Sequence, residues 1–157
     1  MSQTTEKAFE TYLEHMLTAG GWQRGDVAEW DKARALFPAR ILAFIEATQP
    51  KLWADMAAQH GGNLQAMLIA ALDKELAIKG SLHVLRHGFK FYGKVFRLAY
   101  FKPAHALSPD VLALYAQNQL TVTRQVPCHP DDHSTCDMVL ALNGLPVATI
   151  ELKNPGT

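Results

Sequence analysis

Apolar residues recur at helical spacing through the first half of the chain and turn to strand-like runs in the second. From about Thr5 to Ala19, Phe9, Leu13, Met16 and Leu17 fall on one side of a helix turning about 100° per residue, and Gly20-Gly21 stops it. Pro38 suits the first turn of a second helix carrying Ile41, Leu42, Phe44 and Ile45. Thr48-Gln49-Pro50 breaks that helix, a third runs from Pro50 to Gln59, and Gly61-Gly62 ends it. Asn63 is a good cap for a long helix that closes before Gly80. Strands are expected over Leu82 to Arg86 and Val95 to Phe101, around Gly88 and Gly93. Ser108-Pro109-Asp110 opens a short helix ending near Asn118. Leu120 to Val126 reads as a strand, and two apolar runs joined by Asn143-Gly144 read as a hairpin.

That last hairpin carries the chemistry. Asp137 stands before Met138-Val139-Leu140, and Glu151-Leu152-Lys153 ends the second run. A Glu-x-Lys pair is common on solvated strands, so the bland reading is an exposed pair. Here the charges sit against apolar runs, where they are normally paired, neutralised or bound to metal. Asp and Glu are hard oxygen ligands of the kind Mg²⁺ takes. Lys153, two residues after Glu151, emerges on the same strand face and can hold a phosphate or orient a water. A strict two-residue turn would set Asp137 opposite Ile150, away from Glu151. A shift of one, through a longer turn or a bulge, pairs Met138 with Ile150, Leu140 with Ala148 and Asp137 with Glu151. Glu6 falls within the apolar stripe of the first helix, with Glu10 at its edge. An acid there has either a job or a place in the favourable first turn.

The chain has 157 residues, 48% of them hydrophobic, with a net charge of zero, which suits one domain with a real core. Charge distribution says more than its sum. No acid lies between Glu75 and Asp110, an interval holding Lys79, Arg86, Lys90, Lys94, Arg97 and Lys102, with His83, His87 and His105. The interleaved Phe89, Phe91, Tyr92, Phe96, Tyr100 and Phe101 read as core aromatics. Arg86, Lys90, Lys94, Arg97 and Lys102 read equally as phosphate contacts or as solvated cations. No apolar run reaches the roughly 18 residues of a membrane span and no signal peptide is visible, so no membrane partner is expected. Cys128 and Cys136 make no disulfide framework, and a cytoplasmic location is the expectation. Cys128, His129, His133 and Cys136 could in principle hold zinc, but their spacing matches no common zinc module. A polar loop is the favoured reading.

Asp137, the Asn143-Gly144-Leu145-Pro146 turn and Glu151-Leu152-Lys153 resemble the nuclease motif in the R subunit of type I restriction enzymes, of the PD-(D/E)xK superfamily. Thr5-Glu6-x-x-Phe9-Glu10, Gly20-Gly21-Trp22, Thr48-Gln49-Pro50, Gly80-Ser81-Leu82 and Asn118-Gln119-Leu120-Thr121-Val122 are similar to that subunit's N-terminal region. The resemblance implies a three-layer α/β domain of restriction-endonuclease type, a mixed sheet flanked by helices, spanning 1–157. It implies Mg²⁺ held by Asp137, Glu151 and the Leu152 carbonyl, with Lys153 acting on the attacking water and Glu6 beside the metal. Double-stranded DNA and the modification (methyltransferase) and specificity subunits are the implied partners. ATP is implied for the intact enzyme alone, since no Gly-x-x-x-x-Gly-Lys-[Ser/Thr] occurs here. The family continues with a helix bearing a Gln and a Tyr and then with helicase-like motor domains, so the chain is expected to be the N-terminal part of a longer protein. The alternatives are a repair or recombination nuclease of the same superfamily and a non-catalytic scaffold for DNA or other subunits.

Overall fold

A computed structural model describes residues 2–104, 108–129 and 131–153, with side chains from Glu6 onward. Of the residues singled out above, His105 and the segment after Lys153 lie outside the described residues. In chain order the elements are α1 (Ser2–Ala19), β1 (Gln23–Arg24), α2 (Pro38–Thr48), α3 (Pro50–His60), α4 (Leu64–Lys79) and α5 (Ser81–His87). There follow β2 (Phe89–Phe91), β3 (Lys94–Phe96), α6 (Pro109–Ala116), β4 (Leu120–Pro127), β5 (Thr135–Leu142) and β6 (Leu145–Ile150). The fold is α/β. It divides into two compact units, Pro38–Asn118 and Met1–Phe37 with Gln119–Thr157.

The unit built from the two ends of the chain holds a mixed sheet in the order β1-β4-β5-β6. β1 runs parallel to β4, while β4, β5 and β6 are antiparallel neighbours. This sheet is compatible with a restriction-endonuclease-like fold. Asn143 and Gly144 both take left-handed backbone angles, the requirement of a two-residue turn matched to strand twist. The turn is further held by Asn143, whose Oδ1 accepts from the Gln119 N–H at 2.7 Å and whose own N–H donates to the Gln119 carbonyl at 2.8 Å. On one face of the sheet Phe37, Val126, Val139 and Ala141 form a buried cluster, with Trp30 and Cys136 packed against it. Trp30 satisfies its indole N–H on the Pro127 carbonyl at 2.9 Å.

In the Pro38–Asn118 unit, α2, α3 and α4 pack in sequence and α4 also packs on β2. Leu68 and Leu72 of α4, Ile41 and Ile45 of α2, and Met56 of α3 are buried. The expected strand over Leu82 to Arg86 is instead helix α5. Its period-two apolar pattern is too short to tell the two apart, and Gly80 and Gly88, both at positive φ, bracket a seven-residue helix of about two turns after α4. Only Val84 is buried there, whereas Leu82 is exposed. The strand expected to Phe101 ends at Phe96. Beyond it, side-chain amides take the place of a partner strand. Gln49 exchanges both hydrogen bonds with the Arg97 backbone at 2.8 and 2.9 Å, and Asn118 does the same for Tyr100 at 3.3 and 2.6 Å. Asn63 and Ser108 stand at the starts of α4 and α6 without a side-chain cap bond.

Candidate active site

The hairpin β5–β6 has the register that joins Asp137 to the Glu151 segment. Met138 pairs with Ile150 and Leu140 with Ala148, as the shifted reading requires. The shift comes from a bulge rather than from a longer turn: Leu142 pairs with Leu145 and Ala141 with Pro146, and Val147 is the extra residue before Ala148. Pro146 has no N–H to give a ladder, which β6 tolerates as an edge strand. Just past β6, the Leu152 N–H donates to Asp137 Oδ2 at 2.6 Å. The peptide between Glu151 and Leu152 therefore lies against the Asp137 carboxylate.

Asp137 and Leu152 line a cavity of about 420 Å³ together with Glu6, Lys7, Glu10, Arg124 and Gln125. Helix α1 brings in the acids, and its inward face is rotated from the apolar stripe. Phe9, Tyr12 and Met16 are each at least half exposed, while Glu10 is 6% exposed. Leu13, Glu14 and Leu17 are half-buried on the same side as Glu10. A helix turns acids inward only if they find cations. Arg124 Nε donates to Glu10 Oε1 at 2.7 Å and its Nη1 to Glu14 Oε2 at 3.3 Å, and Arg24 Nε lies 3.5 Å from Glu14 Oε1. The Arg124 bond, offset in part by burial and helped by the Gln125 amide, holds the Glu10 carboxyl below the usual glutamate range. The same partnership raises Arg124.

Of the residues expected at the site, Glu6, Asp137 and Leu152 share this cavity. Glu151 and Lys153 flank Leu152 in the chain, are exposed, and are not among the cavity's lining residues. Among the described residues, no three His, Cys, Asp or Glu side chains are gathered closely enough to form a metal cage. Arg124 and Gln125 were not expected, and whether Glu6 or Glu10 would reach the site was left open by the sequence. The signal for Glu10 was its place at the edge of the α1 stripe. Arg124 and Gln125 sit in a strand whose pattern gives no warning, because the backbone departs from alternation there. The five cations expected to meet phosphate, Arg86, Lys90, Lys94, Arg97 and Lys102, are all exposed. Arg97 also donates to the Arg86 carbonyl at 3.1 Å. Of the interleaved aromatics, Phe89, Phe91 and Phe96 are buried, whereas Tyr92 and Phe101 are exposed.

Cys128 and Cys136 are bonded to each other, their Cα atoms 5.8 Å apart. Strand pairing of Val126 with Cys136 sets the two ends side by side, a proximity that their sequence spacing does not reveal. No helix of the described residues is long and apolar enough to cross a membrane.

The unit thus carries an acid-lined cavity beside a bulged hairpin. The chain belongs to the family of type I restriction enzyme R protein N termini, which matches residues 3–157. That family sets it in the context of a type I restriction complex and its DNA. No curated protein and no solved structure matches it.

Proposed function

We propose that this chain is the DNA-cleaving part of a type I restriction enzyme R subunit, hydrolysing phosphodiesters with Mg²⁺. The observation that supports this most is the 2.6 Å hydrogen bond from the Leu152 N–H to Asp137, which draws the Glu-x-Lys segment onto the carboxylate. The donors fit the ion. Asp137, Glu151 and the Leu152 carbonyl offer only hard oxygens, and Mg²⁺ commonly takes one or two carboxylates and keeps its waters. Among the described residues, Asp137 Oδ1 has one long contact, 3.4 Å from Gln125 Nε2, and so retains capacity for a cation. Bound there, Mg²⁺ would acidify a water and neutralise charge on the scissile phosphate.

The chain's own groups divide the remaining work. Asp137 would hold the ion from β5 and Glu151 from just past the end of β6, Leu152 through its carbonyl. Lys153 would orient the attacking water or take its proton, and its charge would oppose that building on the phosphate. Glu6, on the α1 side of the cavity, would bind the ion's water shell. Arg86, Lys90, Lys94, Arg97 and Lys102 would hold the DNA backbone in a salt-dependent way. In the intact enzyme, cleavage would follow ATP-driven translocation alongside modification and specificity subunits. A non-catalytic scaffold draws support from one observation, the exposure of Glu151 and Lys153 outside the cavity.

Substitution in the intact R subunit separates the two. Asp137→Ala, Glu151→Ala and Lys153→Ala should each lower DNA cleavage on the order of 10³-fold while ATP hydrolysis survives. Cleavage by Asp137→Ala within about tenfold of wild type would remove Asp137 from the site, since a metal or transition-state group is worth far more.

A further inference from the structure

Gln125 is the residue at which strand β4 stops alternating. Thr121 pairs with Ala141 and Thr123 with Val139, so both threonines share a face with those two members of the buried cluster. Val126 belongs to the same cluster although it lies three residues beyond Thr123. Strict alternation would put it on the other face. The slip falls at Gln125, whose φ is +50°, a left-handed angle that a non-glycine side chain rarely adopts. One result is that two consecutive side chains reach the same carboxylate: Arg124 Nε lies 2.7 Å and Gln125 Nε2 3.3 Å from Glu10 Oε1.

The Gln125 amide is also oriented. Its Oε1 accepts from the Thr135 hydroxyl at 3.0 Å, which turns the Nε2 donors towards the acids. Nε2 then reaches both Glu10 Oε1 and, at 3.4 Å, Asp137 Oδ1. One nitrogen thus spans an acid of α1 and an acid of β5, across the cavity that both line. Unusual backbone held in place by its surroundings tends to cluster where a side chain must be aimed.

We propose that Gln125 is a positioning residue of the nuclease site: through its amide it sets Asp137 and Glu10 to face one another so that Asp137 can receive a divalent cation. This rests on the metal-dependent reading given above. Gln125 does not touch the reacting atoms; it acts through the carboxylates, as hydrogen-bonding partners of metal ligands commonly do.

Titration of this chain with Mn²⁺, followed by the electron paramagnetic resonance of the free ion, tests the assignment. Gln125→Gly removes the amide and relieves the left-handed backbone, so the fold is kept. Its affinity for Mn²⁺ should fall on the order of 10- to 100-fold while the chain stays folded at the titration temperature. Gln125→Asn, which tolerates the left-handed angle and keeps an amide donor, should recover part of the loss. Wild-type affinity in Gln125→Gly, alongside tight binding that Asp137→Asn abolishes, overturns the role of Gln125 and leaves the metal site standing. A folded wild-type chain that binds no Mn²⁺ overturns the metal reading and this assignment with it.

Discussion

At the scale of single residues, the charge arrangement around Glu10 decides how the cavity behaves. Glu10 is almost fully buried and Arg124 keeps a quarter of its side chain in solvent. Removing the arginine leaves a buried carboxylate with, among the described residues, the Gln125 amide as its hydrogen-bond partner and the more distant Lys7 charge, so Arg124→Met should cost about 2 kcal/mol by chemical denaturation. The sign of the pH dependence follows from the direction of the Glu10 shift. A carboxyl held below its ordinary value, near 4.5, adds stability above that pH and loses it as pH falls towards the depressed value. Acid unfolding of the wild type should therefore steepen below about pH 4.5, and Arg124→Met should flatten that part of the curve. An unchanged acid limb in Arg124→Met would show that the pair carries no such linkage. Asp137, Glu151 and Lys153 stood out in sequence because charges beside apolar runs demand a reason, and of the three only Asp137 lines the cavity. Gln125 was not legible, since an uncharged amide in a strand demands none.

At the scale of elements, the register of β5 against β6 was legible because only one pairing serves both packing and chemistry. Its cause was half-legible: a bulge at Val147 supplies the shift, while the turn itself keeps two residues. Asn143 combines a left-handed backbone with a buried amide bonded to Gln119. Asn143→Ala should lose both and destabilise the chain by about 2 kcal/mol, read as a lower midpoint in urea. In the second hairpin, a Cβ at Gly88 would collide with the Phe96 carbonyl, and the φ of +72° disfavours any side chain. Gly88→Ala should therefore disrupt β2–β3, seen as lost amide protection at Phe89 and Phe96; unchanged protection would contradict that packing. The helices α2, α3 and α4 were plain from period and from proline and glycine stops. The α5 segment was misread because seven residues carry too little periodicity. The extended chain after Phe96 was misread because side-chain amides from Gln49 and Asn118, remote in sequence, satisfy its backbone.

At the scale of the whole molecule, family membership sets the chain at the N terminus of a type I restriction enzyme R protein, while the cavity gathers only some of the residues proposed to cut DNA. Asp137 Oδ2 is occupied by the Leu152 N–H, Glu10 by Arg124, and Glu151 and Lys153 are exposed rather than lining the cavity. Three acids, Glu6, Glu10 and Asp137, face a space with Lys7 and Arg124 as its cations. Phosphate would meet that space poorly without a divalent ion. This chain alone, with Mg²⁺ at physiological salt, should therefore leave plasmid mostly supercoiled. Rapid linearisation that vanishes in Glu151→Ala would show instead that it is self-sufficient. The proposed function stands on Asp137 and the peptide after Glu151 forming a divalent-cation site. Crystals of this chain soaked in Mn²⁺ test it most directly. An anomalous peak is expected within bonding distance of Asp137 and the Leu152 carbonyl, with Glu151 drawn inwards. A fully soaked crystal with no peak there, and Asp137 still held by Leu152 and Gln125, would contradict it.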